Sequence, residues 1–294
     1  MTISRLLLTG STGFVGRAVT RQLRGLGIPL RHVVRAGSDG RIDGMGAADQ
    51  VVECADLFDQ SQDWWAQTCA GCDGVLHLAW YAEPGQYQLS ARNFDCLSGS
   101  LTMARGAIAA GVERFVGVGT CLEYDLSPGA VAADAPLAPG SPYAAAKAAC
   151  GLALGHMLPL AGVSFLWARL FYLYGAGEDP RRLIAYLHRQ LAAGNSVELS
   201  AGDQVRDFLD IDVAAELLVR ELLGTRQGAV NISSGTGTTV RQLAETIADT
   251  YGRRDLLRFG VRPANPDDPP VVIGLRPPDD SNPARLPISH PIPA

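Results

Sequence analysis

The chain has 294 residues, 47% of them hydrophobic, and its 30 acidic against 25 basic side chains leave a formal net charge of −5. That length and apolar content suffice for a full core and exclude a disordered or fibrous protein. The net negative charge and scattered arginines exclude a nucleic acid or an anionic membrane surface as partner, since neither polyanion attracts such a chain.

Six cysteines (Cys54, Cys69, Cys72, Cys96, Cys121 and Cys150) make no disulfide scaffold at this length, and "MTISRLLLTG" has too short an apolar run for a signal peptide. A cytoplasmic protein is expected. Cys69 and Cys72 in "CAGC" have zinc-like spacing, but no second pair completes four ligands, so buried thiols and no metal are expected. No membrane span is expected either, because even "GVSFLWARLFYLYG" is broken by Arg169.

Short apolar runs alternate with helical patterns through the first part. "ISRLLLTG", "IPLRHVV", "DQVVEC", "DGVLHLA", "ERFVGVG" and "GVSFLWARL" read as buried strands; Phe14 to Arg24, Asp63 to Ala70, Ser90 to Ala110 and Pro142 to Leu158 read as helices between them. Strand and helix in alternation imply a parallel sheet with right-handed crossovers, a doubly wound α/β fold. Beyond Arg169 the rhythm changes. "EDPRRLIAYLHRQLAAG" predicts a helix starting at Pro180 and ending at Gly194, followed by the strand "SVELSAG". "RDFLDI" and "GAVNISSG" predict strands flanking a helix from Asp212 to Leu223, and "TTVRQLAETIADTYG" a threonine-capped helix stopped by Gly252. From Arg262 onward, proline and aspartate predict extended surface chain.

After the first strand, "TGSTGFVGRAV" sets Gly10, Gly13 and Gly16 at the mouth of a helix, with Thr12, Phe14 and Val15 between them. Glycine lets the backbone turn sharply and approach a pyrophosphate, which the free N–H groups and the helix dipole would bind. The second strand ends in "HVVRAGS", with Arg35 where a carboxylate would hold a free ribose 2′-hydroxyl. A guanidinium there suits a 2′-phosphate, assisted by Ser38 and Arg17, so NADP(H) is expected ahead of NAD(H); the alternative is that Arg35 merely lies along the surface. Asp56, with Leu57 beside it, follows the third strand and can accept from an adenine amino group.

Lys147 is the single lysine in the chain, four residues after Tyr143 in "SPYAAAKAAC". At that spacing both side chains share one helix face. A phenol is a poor proton carrier at neutral pH unless a cation stabilises its phenolate, and a compact ammonium can do this while also holding a ribose hydroxyl. Thr120 stands at the carboxyl end of the fifth strand, where such sheets bind ligands. Threonine hydroxyl, phenol and ammonium together can bind a carbonyl oxygen, protonate it and hold a nicotinamide ribose.

These features, with "GVERFV", "PLAPGSPYAAAK", "ARLFYLYGAGEDP", "QVRDFLDIDVA" and "NISSGTGTTVRQLAETIA", resemble the extended short-chain dehydrogenase/reductases that act on nucleotide sugars. The resemblance implies a Rossmann-type dinucleotide-binding domain over 1–170, with segments near 207–232 returning to it, and a smaller α/β nucleotide-sugar domain over 171–294. It implies that Thr120, Tyr143 and Lys147 form the catalytic triad, that Leu78 and Ala79 of "LHLA" flank the cofactor, and that Arg206 of "RDF" contacts the substrate diphosphate. Tyr172 stands where the family carries asparagine, and Cys96 where it carries the asparagine of NxxGT. The long helices from Ser90 and Pro142 are the family's dimer surface, so a homodimer is expected.

Dehydratases of that family carry Asp and Glu directly after the triad threonine. Cys121 and Leu122 stand here and cannot shuttle a proton, which disfavours dehydration. Epimerases keep NAD bound and usually carry an acid after the second strand, where this chain has Arg35. "HLAWYAEPG" and "RLFYLYG" resemble reductases of a 4-keto-6-deoxyhexose, so a 4-ketoreductase of a nucleoside-diphosphate sugar is the leading expectation. The alternatives are an epimerase with tightly bound NAD, a reductase of small lipophilic carbonyls and a non-catalytic NADP-sensing module. Trp80, Cys121, Leu122, Tyr172 and Arg206 are the expected substrate contacts; for Trp80, Tyr81 and Glu83 an ordinary packing role is the alternative. His77 reads as a structural strand residue.

Overall fold

The computed structural model describes residues 3–266 and 268–276. In chain order its strands and helices are β1 (Leu6–Thr9), α1 (Phe14–Gly25), β2 (Leu30–Arg35), β3 (Gln50–Cys54), α2 (Gln62–Cys69), β4 (Gly74–His77), α3 (Arg92–Ala109), β5 (Arg114–Thr120), β6 (Ala130–Val131) and α4 (Pro142–Leu160). There follow β7 (Ser164–Leu170), β8 (Tyr172–Tyr174), α5 (Leu183–Ala192), β9 (Val197–Glu198), β10 (Val205–Arg206), β11 (Phe208–Asp210), α6 (Ile211–Leu223), β12 (Gly228–Ile232), β13 (Thr238–Thr239), α7 (Val240–Thr250), β14 (Leu257–Arg258) and β15 (Val271–Gly274). The described residues fall into two compact units, one within 3–123, 137–169 and 215–230, the other within 124–136, 170–214 and 231–276.

The first unit carries a seven-stranded sheet in the order β12-β7-β5-β4-β1-β2-β3. Leu6, Leu7 and Leu8 of β1 pair in parallel with β2 on one side and β4 on the other. Strand order reverses at β1, the switch point where doubly wound sheets bind ligands beyond their carboxyl ends. The α/β class expected from the alternation is the one observed. β1, β4 and β5 are buried along their whole length, as strands covered by helices on both faces must be.

Small residues let the helices approach closely. A Cβ on Gly106 of α3 would stand 2.4 Å from the Cβ of Trp65 and 2.8 Å from the backbone oxygen of Gln62. The core between α2, α3 and the sheet includes Trp65, Phe115, Met103 and the thiols Cys69 and Cys72. Burial pushes the Cys69 thiol up to about 12, so it packs as a small apolar group.

The second unit holds a four-stranded sheet, β13-β10-β15-β6, and two parallel strand pairs, β11 with β8 and β14 with β9. Helix α7 has the threonine cap expected, as a full capping box between Thr239 and Gln242, and Gly252 follows it at φ +62°. Helix α5 begins three residues later than Pro180. Arg181 N donates to Asp179 Oδ1 and Arg182 N to Asp179 O, so those residues form a turn before the helix. The chain after Arg262 is not uniformly extended surface either. β15 sits between β10 and β6, with Val272 fully buried, because pairing on both sides satisfies its backbone. The rest of that expectation, from residue 277 on, lies outside the described residues.

Candidate active site

Within the first unit, Gly10 directly follows β1 with φ +74°, and a Cβ there would stand 2.8 Å from Ala79 N. A Cβ on Gly16 would stand 2.0 Å from Gly10 O. Backbone crowding therefore demands glycine at both positions. Helix α1 opens after Gly13, which is exposed and gives no side-chain cap, so the first helical N–H groups are left for an anion. Thr12, Phe14 and Val15 lie half-buried around them. The turn is a cradle that added side chains would fill, and it suits the pyrophosphate of a dinucleotide.

The other expected cofactor contacts fall along the same edge of the sheet. Leu78 N donates to Thr9 O and Ala79 N to Thr9 Oγ1, which holds the end of β4 against the turn after β1. Arg35 is exposed at the end of β2. Asp56 Oδ1 accepts from Phe58 N, its other oxygen pairs with Arg92, and Leu57 is half-buried beside it. A carboxylate has room for about four donors, so an adenine amino group can still be added.

Thr120, Tyr143 and Lys147 are brought together where β5 ends against the first turns of α4. Leu122 N donates to Thr120 Oγ1 at 3.3 Å, and Thr120 is hydrogen-bonded to the Tyr143 phenol. With an N–H already directed at its oxygen, the threonine hydroxyl is free to donate. Tyr143 packs edge-on to Tyr87 with ring centroids 4.7 Å apart. Burial raises its phenol above the usual range, Tyr87, Cys121 and Glu123 push in the same direction, and the Thr120 bond opposes them. The Lys147 ammonium is buried, donates to Val118 O at 2.6 Å and lies 3.9 Å from the centre of the Trp80 ring. Two of its three N–H groups remain for a ribose hydroxyl and the phenol.

Trp80 is fixed by a bond from Nε1 to Asn93 Oδ1 of 2.8 Å, and its edge-on neighbour is Phe58. Its face is therefore turned to the lysine. Cys96, in place of the family's asparagine, is buried and accepts from Tyr81 N; Glu83 is exposed. His77 is bonded to Thr9 Oγ1 through Nδ1 and to Ser100 Oγ through Nε2, each at 2.8 Å. Burial and the nearby lysine push its pKa down to about 3, so it is neutral and structural. Cys121 and Leu122 form the short turn after β5 that ends at Glu123. Sequence reasoning passed over Glu123, although a fully buried carboxylate three residues beyond Thr120 lies against the triad. Its signal was an acid inside an otherwise apolar strand-end turn.

Tyr172 and Arg206 belong to the second unit. The Arg206 guanidinium lies 5.4 Å from the Tyr172 ring centre, donates to Val205 O at 2.8 Å and pairs with Asp268 at 2.6 Å. It lines a cavity of about 450 Å³ together with Arg181, Tyr186, Gln204 and Arg262, a volume in the range of small-molecule sites.

Burial without a carboxylate in direct contact lowers the Lys147 pKa from 10.5 to about 8. A base whose folded pKa lies below its unfolded one contributes stability that is present above the unfolded value and lost as pH falls through the folded one. In the cofactor-free protein, Lys147→Met should therefore raise stability at pH 7 by up to about 3 kcal/mol, since each tenfold change in a protonation equilibrium is worth about 1.4 kcal/mol. The gain should vanish above about pH 10.5, where both states of the wild type are neutral. Paired melting curves of variant and wild type at the two pH values check this.

The sequence model of the NAD dependent epimerase/dehydratase family matches residues 6–233. Dehydrogenase and dehydratase relatives align along most of their length. A dTDP-6-deoxy-L-talose 4-dehydrogenase (NAD(+)) of Aggregatibacter actinomycetemcomitans is 22% identical over 92% of this chain and 99% of its own. A dTDP-glucose 4,6-dehydratase of Streptomyces niveus is 30% identical over 84% of this chain and 78% of its own. The solved structure of a UDP-glucose 4-epimerase from Thermotoga maritima, with UDP-glucose, has the same fold, with a TM-score of 0.79, 22% identity and coverage of 92% of this chain and 90% of that one. With a match spanning nearly all of the first unit, the glycine turn included, the chain belongs to the NAD dependent epimerase/dehydratase family.

Proposed function

We propose that the chain reduces the C4 ketone of a nucleotide-linked 4-keto-6-deoxyhexose, using NADPH. The observation that carries this reading is how the groups around Thr120 are engaged: the Tyr143 phenol is bonded to Thr120, with the Lys147 ammonium on the same helix, and the nearby carboxylate, Glu123, has its oxygens taken by Thr120, Trp167 and Arg169. A ketone reduction needs one proton donor at the carbonyl oxygen. A 4,6-elimination needs a further acid and base, and Cys121 and Leu122 offer neither. A 6-deoxyhexose 4-dehydrogenase and a 4-ketoreductase are one reaction read in opposite directions, which links this reading to a relative of that name.

The bound dinucleotide, held by Gly10, Thr12, Gly13, Phe14, Val15, Gly16, Leu57, Leu78 and Ala79, would supply hydride to the ketone carbon. Thr120 donates a hydrogen bond to the ketone oxygen. Tyr143 donates one too and gives up its proton as the oxygen becomes an alkoxide. Lys147 offers one N–H to the ribose and its charge to the phenolate left behind. In the second unit, Arg206 and its neighbouring arginines would meet the diphosphate through charge-assisted bonds.

Tyr143→Phe should lower kcat by about 10²- to 10⁴-fold while nucleotide affinity is kept. The assay is NADPH oxidation across TDP-, CDP- and GDP-4-keto-6-deoxysugars; an active, folded variant would remove Tyr143 from the mechanism. Isomerisation by the wild type without net oxidation would select the epimerase reading instead.

Arg35, exposed at the end of β2, is our basis for NADPH over NADH. Arg35→Ser should raise the KM for NADPH about tenfold, the size of a lost charge-assisted bond, with little change for NADH. An unchanged ratio of the two would refute the assignment.

We also propose a homodimer through α3 and α4, because both helices leave large apolar side chains uncovered. Phe94 is 73% and Leu160 89% exposed, and Leu152 and Met157 are exposed with them. Sedimentation equilibrium should give a dimer that Phe94→Glu with Leu152→Glu splits. A wild type that stays monomeric at micromolar concentration would sink the proposal.

A further inference from the structure

The Glu123 carboxylate is fully buried at the underside of the triad. Its Oε1 accepts from Thr120 N at 2.8 Å and from Trp167 Nε1 at 3.1 Å, and its Oε2 accepts from Trp167 Nε1 at 3.0 Å and from Arg169 Nε at 2.6 Å. Arg169 is nearly as buried as its partner. A buried ion pair adds little net stability on average, because desolvation offsets the attraction, so its presence beneath a reaction site calls for another reason.

The surrounding backbone is cut to fit this group. A Cβ on Gly117 would stand 2.5 Å from Trp167 Cζ3, one on Gly119 2.3 Å from both Trp167 Nε1 and Glu123 Oε1, and one on Gly151 2.7 Å from Trp167 Nε1. The indole thus lies over two glycines of β5 and against α4 one turn beyond Lys147. Val118, whose carbonyl receives the Lys147 ammonium, lies between those two glycines, and Thr120 follows them. One carboxylate and one indole therefore hold the backbone that carries the threonine and the backbone that carries the lysine's acceptor.

We propose that Glu123, seated on Trp167 and Arg169, is a positioning residue that fixes Thr120 and supplies the negative charge opposite Lys147. The proposal rests on the reading that Thr120, Tyr143 and Lys147 are the reacting groups, and it goes beyond that reading by naming what holds them. The groups facing the ammonium are Cys150 from α4, Cys96 from α3, His77 from β4, Glu123 from the turn after β5, and the rings of Trp80 and Trp167. Burial lowers the lysine's pKa, and Cys150, Glu123 and Cys96 act against it; Glu123 is the carboxylate among them. Its removal should lower the Lys147 pKa further.

The single lysine permits a direct test. In the full chain labelled with ¹³C at lysine Cε, one resonance reports the titration of Lys147 alone, with no substrate and no turnover. Glu123→Gln should lower its midpoint by about 0.5 to 1 in pH, the lower end of what a nearby opposite charge contributes. Where that variant fails to fold because the buried Arg169 charge loses its carboxylate, Glu123→Gln with Arg169→Met removes both charges, and its midpoint should also fall below that of the wild type. In turnover, the alkaline limb of the kcat profile should move to lower pH with the lysine, and kcat should fall at least tenfold with KM changed less than about threefold. A folded variant whose lysine midpoint and alkaline limb stay at the wild-type values would overturn the proposal. Failure of the functional reading would look different: the wild type would turn over none of the sugars tested, while the lysine titration would still decide the role of Glu123.

Discussion

A single ammonium, buried without a carboxylate in contact, is the constraint around which the first unit is arranged. An isolated charge in such a place costs several kcal/mol unless dipoles and polarisable faces replace water. Lys147 receives a backbone carbonyl at 2.6 Å and the face of Trp80 at 3.9 Å. Both require their own support. Val118 can offer its carbonyl because Gly117 and Gly119 let the strand lie flat on Trp167, and Trp80 presents its face because Asn93 holds its indole nitrogen. Asn93 is in turn fixed by donating to Tyr87 O and Ser90 O. The lowered lysine pKa is the cost of burial that this support does not offset.

Much of this was legible in the sequence because it rests on local rules. Period and punctuation locate the strands and helices of the first unit to within three residues, since buried parallel strands are apolar runs and their helices begin and end at recognisable caps. The glycine turn was legible because no other residue allows that backbone. The spacing of Tyr143 and Lys147 needed only a helix. What escaped depends on distant partners. β6 is two residues long and exists because Ile273 and Gly274 pair with it from far along the chain. The start of α5 was displaced by one residue, Asp179, that claimed two N–H groups first. Glu123 escaped because its meaning lies in Trp167 and Arg169, and an acid two residues past a cysteine carries no sign of what it will face.

The second unit shows the same division within one motif. In "RDF" the arginine has a reason visible in its chemistry and the aspartate has none. Neighbouring residues of a strand point to opposite faces, so Arg206 turns toward the cavity and Asp207 away from it. There Asp207 is fully buried and accepts from Ser234 N, Ser234 Oγ, Gly235 N and Gly274 N, tying the "SSG" turn and β15 to the strand that carries the arginine. Burial raises its pKa and those bonds counter it. The aspartate sets where the arginine stands; the two residues are one device.

Glu123, like Asp207, is a fully buried carboxylate. A carboxylate next to the triad threonine suggests elimination, but a carboxylate moves a proton only if it has a lone pair facing substrate and can be protonated there. Glu123 lacks the first of these, since indole, guanidinium and a backbone N–H occupy its oxygens. An acid so engaged can act only through what it holds: the orientation of Thr120 and the field at Lys147. The third residue after the threonine is placed for support because the short turn at Cys121–Glu123 swings it back into the core.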